Sequence, residues 1–130
     1  MADFKSPQIN LYSRDLPRAL AFYAQLGFVE TFRTPASGAP AHVELKLDGF
    51  TLGIATVEAA REHHGLQPEG EGRWIEIVVW TDDTDAAVRM LAAYGAPVLS
   101  PAHDFLGGRL RSAWVADPDG NPVQLVQRKR

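Results

Sequence analysis

The chain has 130 residues, 45% hydrophobic and 22% charged, with a formal net charge of −3, a composition that buries a core and excludes a wholly disordered chain. It has no long basic run to neutralise a row of phosphates, and the terminal Arg128-Lys129-Arg130 reads as a solvated end, so nucleic acid is not an expected partner. Cysteine is absent, which excludes disulfides, thiolate metal sites and thiol nucleophiles; with no leader-like start and no apolar run of roughly 18 residues, a cytoplasmic protein without a membrane partner is expected.

In chain order, residues 8 to 13 alternate as a strand with two distinct faces. Asp15 then caps a helix that tolerates Pro17 in its first turn and carries the stripe Leu16, Ala19, Leu20 and Tyr23 until Gly27 stops it. A strand near 28 to 33 and the polar loop "TPASGAPA" lead into a hairpin, "HVELKLDGFTLGIA", that turns at Asp48-Gly49. A short helix from Val57 to about His64 and a linker rich in Gly, Pro and Glu follow. The pattern then starts again with a strand at 75 to 81, Asp83 as cap, a stripe of Ala87, Val88, Leu91 and Ala92, and Gly95 as stop. Strands near 96 to 99 and 109 to 116 flank a loop, "SPAHDFLGG", whose Gly107-Gly108 reads as a hinge able to close over a site. The last hairpin turns at Asp117 to Asn121.

The second half repeats the first. "QINLYSRDLPRALAFYAQLGF" and "EIVVWTDDTDAAVRMLAAYGA" align without a gap at an offset of 68, matching Ile9 with Ile77, Asp15 with Asp83, Gly27 with Gly95 and Tyr12 with Trp80. Aligning the two Asp-Gly pairs sets "DGFTLGI" over "DGNPVQL", so that Gly53 meets Gln124 between the apolar pairs Leu52/Val123 and Ile54/Leu125.

These two segments and the terminal "DPDGNPVQLV" make the sequence resemble the vicinal oxygen chelate superfamily, the glyoxalase, bleomycin-resistance and extradiol dioxygenase group, over residues 8 to 127. The resemblance implies an α+β fold of two βαβββ modules, module one at about 7–56, a helix and linker at 57–73 and module two at about 74–127. The modules would form a cup of curved mixed sheet with the helices outside, and the protein would be a homodimer. Strand alternation then places Ile9, Leu11, Leu52, Ile54, Ile77, Val79, Val123 and Leu125 under the helices, and turns Gln8, Asn10, Tyr12, Gly53, Glu76, Val78, Trp80 and Gln124 into the cleft.

In metal-using relatives four cleft positions present His, Glu or Gln to a divalent ion; here they are Gln8, Gly53, Glu76 and Gln124, one carboxylate, two amides and no imidazole. Even with Glu44 across the hairpin from Gly53 this is a poor donor set, so no metal and no other cofactor are expected. Of the histidines, His42 enters the cleft, His103 lies in a loop, and the adjacent His63 and His64 point to different faces of a helix end. What remains suits a hydrophobic or aromatic small molecule. Tyr12 and Trp80 would flank it, with Phe32, Phe50, Trp74 and Phe105 at the rim, while Phe22, Tyr23, Phe28 and Trp114 belong to the core. The sequence is closest in character to the metal-free bleomycin-resistance-like binding proteins, and that resemblance implies non-catalytic sequestration of an aromatic natural product or antibiotic. The alternatives are a metal-dependent lyase, isomerase or dioxygenase built on Glu76, Gln8, Gln124 and Glu44, and metal-free acid–base catalysis by Glu76 with His42 or Glu44.

Overall fold

In both halves of the chain a hydroxyl, an aspartate and a helix follow one another at the same spacing. In the computed structural model, Asp15 Oδ1 accepts from Arg18 N at 3.2 Å while Ser13 Oγ accepts from Asp15 N at 3.0 Å. Asp83 Oδ1 likewise accepts from Ala86 N at 3.0 Å, and Thr81 Oγ1 from Asp83 N at 3.3 Å. Each carboxylate satisfies a helix-start N–H that has no partner within its helix, worth about 1 kcal/mol. They open α1 (Leu16–Gln25) and α3 (Thr84–Tyr94). Gly95 closes the latter at φ 118°, a left-handed conformation that disfavours any side chain; α1 closes one residue early, on Leu26, with Gly27 following.

The structure describes residues 5–64, 66–68, 70 and 75–129, and at Phe105 the backbone alone. The chain divides into two compact units, residues 1–70 and 71–130. Unit one contains β1 (Ile9–Ser13), α1, β2 (Val29–Thr34), β3 (His42–Leu47), β4 (Phe50–Thr56) and α2 (Val57–His64). Its sheet runs β1-β4-β3-β2, with β1 parallel to β4 and the other pairs antiparallel. Unit two contains β5 (Ile77–Trp80), α3, β6 (Val98–Phe105), β7 (Leu110–Ala116) and β8 (Pro122–Arg128), in the equivalent order β5-β8-β7-β6. The fold is α+β, two four-stranded mixed sheets with three helices, each unit carrying one βαβββ module.

One face of each sheet is apolar and covered. In unit one Leu11, Val43, Leu45, Leu52 and Ile54 are buried together with Leu16, Ala19, Phe22 and Tyr23 of α1, and Tyr23 makes edge-to-face contacts with Phe22 and Phe28 at 5.0 and 5.7 Å. In unit two Ile77, Ala113, Val115, Val123 and Leu125 are buried beside Leu91 of α3. A fully buried Leu or Ile contributes roughly 1.5–3 kcal/mol relative to an exposed one, so these faces hold each sheet to its helix.

Several expectations are corrected. Ile9, the first residue of an outer strand, is 42% exposed rather than packed under a helix, and Val79 is only half-buried. On α3 the buried positions are Thr84 and Leu91, flanked by half-buried Ala87 and Val88, and Ala92 is exposed. The segment read as the loop "SPAHDFLGG" is mostly strand: β6 continues to Phe105, with register shifts between Val98 and Ser100 and between Ser100 and His103, so His103 sits in a strand. Gly107 and Gly108 belong to the tight turn joining β6 to β7, not to a lid. The basic tail is not simply solvated either: the Arg128 guanidinium lies 4.6 Å from the Trp80 ring centroid and Lys129 Nζ pairs with Asp104 at 2.6 Å. No helix of the described residues is long and apolar enough to cross a membrane.

Candidate functional site

Register puts small residues in the middle of the uncovered face of unit one. Across β1, β4 and β3, Asn10, Gly53 and Glu44 stand side by side, and the next row on the same face is Tyr12, Ala55 and His42; Phe32 and Thr34 extend the two rows onto β2. Ala55 therefore floors a groove between Tyr12 on one side and His42 on the other, while Gly53 lies buried in the next row between Asn10 and Glu44. The polar groups along it are linked. Gln8 Nε2 donates to Asn10 Oδ1 at 2.8 Å and, at 3.4 Å, to Glu44 Oε2, which also accepts from His42 Nε2 at 3.3 Å.

A Cβ added to Gly53 would overlap Asn10 Oδ1 and lie 3.0 Å from His42 Cε1. Asn10 and His42 thus close over the glycine from both sides, which is the close approach that needs a residue without a side chain. At one end α2 follows β4 with no loop between, Thr56 Oγ1 accepting from Ala59 N at 3.1 Å. Ala59, Ala60, His63 and His64 close that end, and together with Asn10, Tyr12, Thr34, Pro35, Ala41, His42 and Ala55 they line a cavity of about 560 Å³. The expectation that His63 and His64 face apart is corrected: both line this cavity, because neighbours on a helix differ by about 100° and the helix turns a broad face to the groove.

In unit two the corresponding rows are Val78, Gln124, Trp114 and Ser100, and Trp80, Val126, Ser112 and His103. Trp114, assigned from the sequence to the core with Val123 and Leu125, stands opposite Gln124 instead. The five-residue turn Asp117–Asn121 pairs Ala116 with Pro122, which fixes Ala113 and Val115 on the core face and Trp114 on the other. Its indole Nε1 donates to Glu76 Oε2 at 2.8 Å, and Gln124 Nε2 donates to Glu76 Oε1 at 3.3 Å. The His103 ring stacks on Trp114 at 6.0 Å and 21°. Trp80 is 56% exposed and, with Arg128 over its ring, borders an open recess of about 1280 Å³ walled by Thr81, Asp82, Gln127 and Lys129. Ser112 Oγ, fully buried in the Trp80 row, has no hydrogen-bond partner among the described residues.

On the opposite face, Arg111 Nε and Nη2 reach Asp85 at 2.7 and 2.9 Å, and Nη1 reaches Asp104 at 2.9 Å. Hydrogen bonding to Arg111 holds the Asp85 carboxyl below its ordinary range, and Lys129 followed by Arg111 does the same for Asp104; the guanidinium is raised in return, by Asp85 first. The terminal turn is fixed by Asp117, whose Oδ1 accepts from Asp119 N at 2.9 Å and Asn121 N at 2.8 Å, and whose Oδ2 accepts from Asn121 Nδ2 at 2.9 Å.

Of the residues expected in the cleft, the structure brings Asn10, Tyr12, His42, Glu44 and Gly53 together in unit one, with Gln8 bonded into them and Phe32 exposed beside Glu44. Phe50 shares the register of Leu52 and Ile54 and so belongs to the other face, exposed at the sheet end. In unit two Glu76, Val78, Trp80 and Gln124 share a face. Trp74 and the Phe105 side chain lie outside the described residues. His63, His64 and Trp114 are the members that sequence reasoning missed.

As placed, the four family ligand positions do not fit a divalent ion. The Gln8 amide N–H groups are turned to Asn10 and Glu44, Gly53 offers no donor and no room for one, and both oxygens of Glu76 already accept from neutral N–H donors. A cation needs several anionic oxygens or imidazoles free to converge on it. Among the described residues no group of three or more His, Asp or Glu is disposed to hold a metal.

Two βαβββ modules, each with a polar row across one face of its sheet, make up the described chain. Residues 5–125 match the family model of the Glyoxalase/Bleomycin resistance protein/Dioxygenase superfamily, and the chain belongs to that superfamily. No curated protein matches it. Among solved structures it is similar to a hypothetical protein from S. aureus (19% identity, TM-score 0.81, 97% of this chain and 95% of that one). It is also similar to TioX from Micromonospora sp. ML1 (24%, 0.74, 96% and 100%) and to a glyoxalase-related enzyme from Fulvimarina pelagi (22%, 0.78, 96% and 89%). At these identities the likeness is one of fold.

Proposed function

We propose that this chain is a binding protein that sequesters flat, ring-bearing organic molecules, an aromatic natural product or antibiotic among them, without a metal and without turning them over, and that it works as a homodimer. The observation that carries the reading is the groove of unit one. The family position for a metal ligand is Gly53, the space above it is shared by Asn10 and His42, and beside it opens a cavity of about 560 Å³, within the range of organic-ligand sites. A ring over Ala55 would meet Tyr12 at its edge, an aromatic contact worth roughly 0.5–1.5 kcal/mol beyond area burial. In unit two Glu76 is held by Trp114 and Gln124, which favours a structural or ligand-positioning carboxylate over a metal ligand or a free base.

The test is thermal melting of the full chain with added divalent metals and, separately, with a panel of planar aromatic compounds, alongside elemental analysis of the purified protein. Stabilisation by ring compounds and none by metals is expected; saturation near 100 times Kd raises stability by about 2.7 kcal/mol. Stoichiometric metal, or a steep metal-induced rise in Tm, would refute the reading. Light scattering checks the dimer. The Glu44 carboxylate 3.3 Å from His42 Nε2 favours a second reading, acid–base chemistry in which Glu44 orients the His42 ring. A His42→Gln variant that binds planar compounds normally but abolishes a turnover seen in the parent would establish it.

A further inference from the structure

Among the described residues lining the cavity the three histidines are the only side chains that can become cations; there is no carboxylate, lysine or arginine in the lining. The nearest carboxylate, Glu44, already accepts from His42 Nε2 and Gln8 Nε2. The acceptor of Asn10, Oδ1, is taken by Gln8, so what Asn10 has left for a ligand is its two amide N–H bonds. His63 and His64 stand exposed on successive positions of α2, rings 6.3 Å apart, at the closed end of the cavity. An imidazole has an N–H to donate in either protonation state and becomes a cation in one of them. A pocket that holds three potential cations and no carboxylate complements an electron-rich or anionic group.

The floor sets the other half of the requirement. Ala55 floors the cavity between Tyr12 and His42, so that a ring lying over it meets the Tyr12 ring on one side and the His42 ring on the other. We propose that this cavity selects aromatic acids: a planar ring system lying over Ala55 against Tyr12, with its carboxylate at the α2 end between His63 and His64. The assignment rests on the reading above that unit one takes flat organic molecules, and names which of them it prefers. Charge-assisted hydrogen bonds to the carboxylate supply the preference, since they are roughly twice as strong as neutral ones.

The experiment is calorimetric titration of the full chain with naphthalene-2-carboxylate and with naphthalene-2-carboxamide, which share ring and shape and differ in charge, together with histidine Cε1–Hε1 NMR spectra. The acid should bind at least about tenfold more tightly than the amide and shift the His42, His63 and His64 signals. In His63→Gln/His64→Gln the acid should lose its advantage over the amide, the two compounds binding within about twofold of each other. Equal affinities in the parent, or a preference that survives the double substitution, would overturn the proposal and leave the broader binding reading standing. Failure of both compounds to bind would sink both.

Discussion

Ser13 and Ser112 are the same residue type, equally buried, and should respond to alanine with opposite signs. Ser13 Oγ accepts from Asp15 N at 3.0 Å at the start of α1, whereas Ser112 Oγ has no partner among the described residues. A buried hydroxyl without a hydrogen bond costs about 1–3 kcal/mol of desolvation. Removing it leaves a void on the order of 10 Å³, which at about 24 cal/mol per Å³ costs roughly 0.3 kcal/mol. Ser112→Ala should therefore stabilise the fold by about 1 kcal/mol, against the usual direction of point substitutions. Ser13→Ala strands the Asp15 N–H and should cost about 1 kcal/mol. Urea unfolding followed by circular dichroism, with the midpoint shifting at constant m, reads both. A midpoint that falls in Ser112→Ala would mean that its hydroxyl does have a partner in solution, and would refute the reasoning from its isolation.

Other consequences can be checked with the same tools. Asp117→Ala removes the acceptor for Asp119 N, Asn121 N and Asn121 Nδ2 and should destabilise by about 2–4 kcal/mol, with Asp117→Asn losing roughly half as much; equal unfolding midpoints for all three proteins would dismiss the carboxylate as the organiser of the turn. Gly53→Val displaces Asn10 and His42, both of which line the cavity, from their places over the glycine. Planar ligands should bind at least about tenfold more weakly, with unfolding changed by about 1 kcal/mol or less because the exposed Asn10 side chain can rotate away; unchanged affinity would place the site elsewhere. The carboxyls of Asp85 and Asp104 are depressed when folded, so their contribution is present above the unfolded Asp value of about 3.9 and is lost as pH falls through it toward the folded values. The parent should consequently lose more stability than Arg111→Gln between about pH 5 and pH 2.5, and parallel acid profiles would contradict the pairing.

The scaffold was legible because its local signals agree. Asp15 and Asp83, the stop at Gly95 and the Asp48-Gly49 turn each act within a few residues, and repetition at an offset of 68 doubles the signal. The misreadings came from longer-range pairing. The segment 100–108, with Pro101 and two glycines, reads as a loop, but β6 is an outer strand, where a residue without an N–H is tolerated. Trp114 could have been placed from the sequence by counting across the five-residue turn, a parity that hydrophobicity conceals because a tryptophan looks like core. Arg128 over Trp80 follows from Trp80 pairing with Val126, which sets the residue two further on along the same face; that pairing between strands far apart in sequence is not a local property. His63 and His64 were set aside because helical phase separates neighbours, yet a broad helix face can close a groove with both.

The direct passage from β4 into α2 fixes one boundary of the groove like the stop of a ruler. Thr56 leaves no slack between strand and helix, so a guest seated against His63 and His64 has no room to lengthen toward α2 and extends away from it. A chemist wishing to tether such a guest to a bead or a dye should attach the linker at that far end, where lengthening meets solvent instead of protein.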